Sequence, residues 1–293
     1  MLTTAARRPD ATLSPMVARR TFLAAMGAAA QPAGPKPGCQ TNAWRVQPGN
    51  FGDFLKALDR VHHYGYEGFE TGFRNIENRL DHARETRSEF DKRGLLFLGC
   101  HIFLTQYDPA SSIAPADLIA RIIKTSAALG AQRLILSGAG ATGDRAALDR
   151  KIKALAAAGR QCRQAGIGLA YHNHDVEFLG ENPEIEEMLR RGDPSHLSLV
   201  LDAGHALRTK ADVADFFHRH DSRIAGIHLR DFRSGDQVPF GQGEIDWSKL
   251  AAAIRRRNWT GWVITEEERL NDVKPGDAAV EPARRGMKKI FGV

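Results

Sequence analysis

The stretch Leu169-Ala170-Tyr171-His172-Asn173-His174-Asp175-Val176-Glu177-Phe178 begins as an apolar strand and ends in two histidines two positions apart. In an extended strand, successive side chains alternate between the two faces, so His172 and His174 point the same way. Polar side chains that leave a buried strand together are poorly suited to a core. They predict a binding or catalytic site, provided that other strands bring metal ligands to the same place.

Short apolar runs alternate with amphipathic helical segments on both sides of this stretch. Eight strand–helix pairs follow one another from residue 38 onward, and this pattern predicts a single-domain (β/α)8 TIM barrel. A doubly wound open sheet would need a Gly-rich phosphate turn after an early strand. Residues 44–48, Trp-Arg-Val-Gln-Pro, contain no glycine at that point. The predicted strands cover residues 38–44, 66–71, 95–103, 133–137, the start of 169–178, 197–202, 224–229 and 262–267.

Residues 1–37 read as an export signal and lead-in, followed by the barrel over residues 38–293. Arg19-Arg20-Thr21-Phe22-Leu23 resembles the twin-arginine pattern, an apolar run covers 22–30, and Ala28-Ala29-Ala30 offers a cleavage site. The run is too short to span a membrane stably. We expect a periplasmic or secreted protein that is exported already folded; a disordered basic tail is the alternative.

The charge of the chain is concentrated at this end. Residues 1–37 hold five Lys or Arg residues and one Asp, which accounts for +4 of the formal net charge of +6 and leaves +2 for the barrel. The sequence pI near 9.4 therefore does not predict a nucleic-acid partner. The three cysteines are too few and too scattered for a disulfide framework, so we expect buried thiols.

Chemistry in such barrels gathers at the carboxyl ends of the strands. Four consecutive predicted strands, five to eight, each end in a residue able to bind a metal. Oxygen ligands mixed with imidazole suit one divalent ion such as Mn²⁺, Mg²⁺, Co²⁺ or Zn²⁺. The polar residues at the strand ends are Asn42, Trp44, Glu70, His101, Ser137, His172, His174, Asp202, His205, His228, Asp231 and Glu266.

These motifs resemble the sugar phosphate isomerase/epimerase family, in the xylose isomerase-like barrel superfamily. The resemblance runs from residue 38 to the C-terminus. It rests on Gly-Cys-Gln-Thr-Asn-Ala-Trp (38–44), Gly-Phe-Glu-Thr-Gly (68–72), Tyr-His-Asn-His-Asp-Val-Glu-Phe (171–178), Leu-Asp-Ala-Gly-His (201–205), His-Leu-Arg-Asp (228–231) and Phe-Gly-Gln-Gly-Glu-Ile-Asp-Trp (240–247). It implies a divalent metal held by Glu, Asp, His and Glu from strands five to eight, with the two glutamates as acid and base.

Three of these ligands carry over to this chain as Asp202, His228 and Glu266. The fourth departs from the family pattern, because His172 stands where the strand-five glutamate is expected. His172 is predicted either to bind the metal or to act as the base itself. Glu177, five residues further on, is the alternative source of the missing carboxylate.

The resemblance predicts a metal-dependent enzyme that removes a proton next to the carbonyl of a ketose or keto-sugar. His172, His174, Glu266 and Glu177 are the candidate acids and bases. Isomerisation or epimerisation is the expected outcome; elimination from a 3-keto-glycoside by the same chemistry is the alternative. The residues expected to contact the small-molecule sugar, in a monomer or a homo-oligomer, are Trp44, Glu70, His101, His205 and Asp231.

Two other classes of protein share this barrel. An endonuclease IV-like phosphodiesterase would need further metal ligands and a basic face for DNA, and a barrel of charge +2 predicts neither. A non-catalytic sugar-binding barrel is the remaining alternative, and metal content would distinguish it from the enzyme.

Overall fold

The computed structural model describes residues 34–140, 143–268 and 274–293, and the predicted export signal lies outside them. Eight parallel strands form a closed barrel in which the first strand pairs with both the second and the eighth. The predicted (β/α)8 barrel is confirmed. The barrel strands, one to eight, are Lys36–Gln40, Gly68–Gly72, Leu96–Ile102, Arg133–Leu136, Gly168–His172, Ser198–Asp202, Ile224–Leu229 and Trp262–Thr265.

Helices pack around the outside of this barrel. The first one shows why they form: Asn50 caps its N-terminus by accepting from the backbone N–H of Asp53, and its buried face repeats at Phe54, Leu58 and Val61. The main apolar core therefore lies between the strands and the helices. The α-helices of the described residues are Phe51–His63, Ala83–Lys92, Ala116–Ala128, Arg145–Gln164, Glu184–Arg191, Ala203–Arg208, Val213–His220, Ser248–Arg256 and Asp277–Phe291.

Several element boundaries differ from the sequence-based expectation. Strand one begins at Lys36 and ends at Gln40, and the chain then turns through a 3₁₀ helix at Thr41–Ala43. The sequence pattern of residues 76–93 predicts one helix, but the helix starts only at Ala83. Thr41 and Asn75 both donate side-chain hydrogen bonds to the Thr71 hydroxyl, and such local bonds compete with regular structure.

Two further elements next to the barrel mouth were missed. A short helix, Ala203–Arg208, follows strand six directly, because the Asp202 side chain caps it by accepting from the His205 backbone N–H. A two-stranded hairpin, Asp231–Arg233 with Asp236–Val238, follows strand seven. No helix within the described ranges combines the length and apolar character needed to cross a membrane.

The interior of the barrel is apolar in its middle part and polar at the carboxyl ends of the strands. Leu98, Trp262 and Ile264 form one interior cluster, and a second small cluster lies beside it. The space is tight, since a Cβ on Gly68 would lie 2.7 Å from Leu98. Above these clusters each strand contributes one polar residue at its end. In barrel order these are Gln40, Glu70, His101, Ser137, His172, Asp202, His228 and Glu266.

Candidate metal centre

Strands five to eight bring four ligand-capable side chains to one point: His172, Asp202, His228 and Glu266. All four are buried, and one ligand atom from each lies within 4.8 Å of all the others. His228 Nδ1 is 2.5 Å from Glu266 Oε2 and 3.1 Å from His172 Nε2. His172 Nε2 is also 3.5 Å from Glu266 Oε2 and 3.6 Å from Asp202 Oδ2. The ligand atoms therefore face one another, as a shared metal site requires.

The backbone around Asp202 is fixed by Asn173, the residue between the two histidines. Asn173 Oδ1 accepts from the Asp202 N–H at 2.9 Å, and Asn173 Nδ2 donates to the Asp202 carbonyl at 3.1 Å. These two bonds join the ends of strands five and six. Ser137 Oγ lies 3.3 Å from His172 Nδ1, so the other ring nitrogen, Nε2, faces the ligand group.

Glu70 lies behind His228, on the side away from the other ligands. Its Oε2 lies 2.7 Å from His228 Nε2 and 2.8 Å from His101 Nε2. Burial alone would raise the pKa of Glu70, but the charge of His228 and the hydrogen bonds from both histidines hold it well below its usual value. A carboxylate behind a ligating histidine fixes the ring and increases its basicity, so Glu70 is placed to support His228 as a candidate ligand.

The site stabilises positive charge at its centre. Burial lowers the pKa of His228, yet Glu266 and Glu70 outweigh it and raise that pKa to about 10. The pKa of Asp202 is held well below its normal range by His205, His172 and Arg230, in spite of its burial. The donor set, two imidazoles and two carboxylates that favour a cation between them, fits a divalent metal ion.

Arg230, which was not predicted, is the main outer partner of the two carboxylate ligands. Its Nε donates to Asp202 Oδ2 at 3.1 Å, and its guanidinium also reaches Glu266 Oε1 at 2.9 Å and Glu268 Oε2 at 3.2 Å. It follows His228 by two positions. In an extended strand, residues two positions apart share a face. The rule that places His172 and His174 on one face therefore also places Arg230 on the face of His228, and it would have identified Arg230 from the sequence.

Replacing Arg230 by methionine is expected to destabilise the metal-free protein by about 3–5 kcal/mol, because it removes the buried guanidinium that neutralises the Asp202 and Glu266 carboxylates. Urea unfolding in the presence of EDTA measures this. Arg233→Met is the control, since Arg233 is exposed on the neighbouring hairpin. Equal destabilisation by the two substitutions would contradict the role assigned to Arg230.

His174 and His205 line the mouth above the ligand group. The ring of His174 lies 5.3 Å from that of His172 and 5.2 Å from that of His205. Burial, followed by the charge of His172, lowers the pKa of His174 to about 4. His205 Nδ1 pairs closely with Asp175, and its Nε2 is 3.9 Å from Asp202 Oδ2. Both histidines therefore lie beside the four ligand-capable residues at the mouth.

Glu177 is fully buried, and both of its carboxylate oxygens accept hydrogen bonds from residues of strand five and its loop. Its Oε1 accepts from the Tyr171 hydroxyl at 2.6 Å, and its Oε2 accepts from the His174 N–H at 2.8 Å. Lys151 donates to the same Tyr171 oxygen at 2.8 Å and pairs with Glu184. Tyr171 follows the strand alternation and faces away from His172. Glu177 therefore anchors the strand-five loop and lies outside the four-ligand group.

Trp44 and Asp231 also make contacts within the protein. Trp44 Nε1 donates to Asp277 Oδ1 at 3.1 Å, at the start of the last helix. Asp231 Oδ2 accepts from the backbone N–H groups of Gly241 and Gly243, each at 3.0 Å. Both side chains thus shape loops beside the mouth, and Asp231 holds the segment that follows the hairpin.

Comparison with known proteins agrees with this geometry. The family described as xylose isomerase-like TIM barrel matches residues 58–290. Among curated proteins, inosose dehydratase of Lacticaseibacillus casei is 29% identical over 129 residues, which cover 38% of this chain and 43% of that protein. The match thus spans less than half the length of this relative.

Solved structures share the whole barrel. A D-psicose 3-epimerase superposes with a TM-score of 0.70 at 16% identity, covering 88% of this chain and 100% of that one. The 3-keto-D-glucoside 4-epimerase of E. coli superposes with a TM-score of 0.64 at 16% identity, with coverages of 88% and 100%. At these identities the likeness shows the fold.

Proposed function

This chain belongs to the xylose isomerase-like TIM barrel family, and we propose that it is a divalent-metal-dependent enzyme that removes a proton next to the carbonyl of a keto-sugar. The observation that carries the proposal is the convergence of His172, Asp202, His228 and Glu266 within 4.8 Å at the barrel mouth. Isomerisation or epimerisation of the sugar is the leading outcome. Sugar epimerases and a dehydratase among the similar proteins support this class of chemistry.

The four converging side chains would hold the metal, and Glu70 and Arg230 would orient them. A divalent ion held there would polarise the substrate carbonyl and lower the pKa of the neighbouring C–H group. His174 is neutral near pH 7, since its pKa is lowered to about 4, so its ring can accept a proton there. Glu266 carries its charge beside Arg230 and is the second candidate acid or base.

Elimination is the second candidate, and His172 is the observation that favours it. Epimerisation by two carboxylates would need the strand-five glutamate, which this chain replaces by histidine. Elimination needs one base to take the proton and one acid to protonate the departing oxygen. The C–H and C–O bonds break, a C=C bond forms, and water or an alcohol leaves. Inosose dehydratase, a relative of this chain, is named for loss of water.

Deuterium exchange distinguishes these outcomes. The Mn²⁺-loaded protein is incubated in deuterated water with a panel of free ketoses, 3-keto-hexoses and 3-keto-glycosides, followed by NMR and mass spectrometry. We expect deuterium at the carbon next to the carbonyl of at least one compound. An epimer or isomer as product supports the leading proposal, and an unsaturated ketone with a released alcohol or water supports elimination. The absence of both exchange and product formation with every compound would contradict the proposal and favour a non-catalytic sugar-binding barrel.

We also propose twin-arginine export of this enzyme, on the support of Arg19-Arg20-Thr21-Phe22-Leu23 and the apolar run behind it. Such export would expose the enzyme to sugars outside the cytoplasm. Recovery of a periplasmic protein that retains residues 1–30 would contradict cleavage of the signal.

A further inference from the structure

Three exposed apolar side chains lie on loops at the barrel mouth. Phe103 is 67% exposed and directly follows strand three, while Val176 and Leu179, 41% and 53% exposed, lie on the loop after strand five. Among the described residues, one further large hydrophobic side chain is exposed to a similar degree. It is Leu96, which is 50% exposed and lies at the opposite end of strand three. An exposed aromatic side chain on a loop at the mouth marks a candidate binding surface.

Phe103 lies beside the candidate metal centre. Its ring centroid is 6.1 Å from that of His174, and the two planes are inclined by 61°. The ring of His174 is in turn 5.3 Å from that of the ligand His172. Phe103 is therefore the second ring outward from the ligand group. A substrate whose reacting carbon lies at the metal would reach Phe103 with a part beyond the reacting sugar ring.

The loops on this side of the mouth carry no cationic side chain of lysine or arginine. Residues 103–114, 137–144 and 173–183, which follow strands three, four and five, contain neither amino acid. A phosphate group is close to doubly charged at neutral pH and pairs best with such cations. These loops therefore supply no cation of their own for a phosphorylated end, and Arg208, which reaches the strand-five loop, is already paired with Asp175 at 3.4 Å. The acidic residues of these loops are Asp108, Asp144, Asp175, Glu177 and Glu181.

We propose that Phe103 and the exposed strand-five loop that carries His174 form a surface that binds an uncharged ring attached to the reacting keto-sugar, either a second sugar or an aglycone. The inference rests on the proposed function and specifies its substrate class as glycosides. Aromatic side chains bury a large area against a ring and add a geometric preference. Phe103 is then a specificity-determining residue that holds the leaving or distal ring while the metal centre acts on the other.

The test compares 4-nitrophenyl 3-keto-β-glucoside with free 3-keto-glucose and its 6-phosphate, using the Mn²⁺-loaded protein. For Phe103→Ala we expect kcat/KM on the glycoside to fall about tenfold, mainly through KM, since a contact made equally before and during reaction affects KM. The free keto-sugar should change by less than about twofold, because it does not reach this surface. Deuterium incorporation and product formation are both measured.

Two variants serve as controls. Phe103→Tyr keeps the ring and should retain the preference for the glycoside. Leu96→Ala removes a comparably exposed side chain at the far end of the barrel and should leave both substrates unchanged.

Four outcomes would overturn the inference. They are an equal loss on free and glycosidic substrates, no loss on the glycoside, preferential turnover of the 6-phosphate, and dissociation of an oligomer by Phe103→Ala with unchanged kinetics. The last would identify the surface as a contact between copies of the chain. The absence of both exchange and product formation with every compound overturns the proposed function itself, and with it this inference.

Discussion

Replacing Asp202 by asparagine will remove the bound metal and the turnover together. Asp202 is fully buried, and its Oδ2 lies 3.6 Å from His172 Nε2 and 3.1 Å from Arg230 Nε. Removing a residue that hydrogen-bonds to a metal ligand typically lowers metal affinity or activity by about 10–100-fold. Removing the charge of a ligand itself should therefore lower both by more than roughly 100-fold. Metal content after dialysis and the rate of deuterium exchange measure the two effects.

Asparagine is chosen so that the fold is kept. The Asp202 side chain also caps the helix Ala203–Arg208, and asparagine caps helices about as well as aspartate. The control is Asp212→Asn, at the cap of the next helix, Val213–His220, where the side chain likewise accepts a backbone N–H. This control should retain both metal and turnover. Full activity of the Asp202 variant without bound metal would exclude the metal-dependent mechanism.

Asp202 is both a candidate metal ligand and the cap of a helix, and only the first of these roles could be predicted from the sequence. Strand alternation and the parallel closure of the barrel suffice to bring His172, His228 and Glu266 to the same mouth, because each stands at the end of a recognisable strand. The cap on the helix at residue 203 was not predicted, since the next six residues, Ala-Gly-His-Ala-Leu-Arg, are too short to show helical periodicity.

The contacts made by Arg230 and Glu177 depend on strand register and turn geometry, which cannot be read from the sequence. Arg230 reaches both carboxylates because strand seven lies between strands six and eight, with His228 level with Asp202 on one side and with Ile264 on the other. Glu177 depends on a 3₁₀ turn at Val176–Phe178 that directs it toward Tyr171. Such cross-strand and turn geometry sets which carboxylates join the group of four ligand-capable residues and which are held elsewhere.

Replacing His172 by alanine will also abolish turnover, and the fate of the metal will identify its role. His172 Nε2 faces His228, Glu266 and Asp202 at 3.1–3.6 Å, while Nδ1 lies near Ser137. This orientation favours a ligand, so we expect metal affinity and the exchange rate each to fall by more than about 100-fold. Equilibrium dialysis with Mn²⁺ and the exchange assay measure the two losses. The control is His62→Ala, on the exposed face of the first helix.

The result decides where the base lies. A nitrogen that binds a metal has no free lone pair for a proton, so loss of both metal and turnover would leave Glu266 or His174 as the base. Metal retained with turnover lost would instead make His172 the base, since an imidazole is well matched to proton transfer at neutral pH. Unchanged turnover would contradict both roles. A ligand role for His172 would also disfavour epimerisation by two glutamates, because Glu266 is the one glutamate among the four residues from strands five to eight.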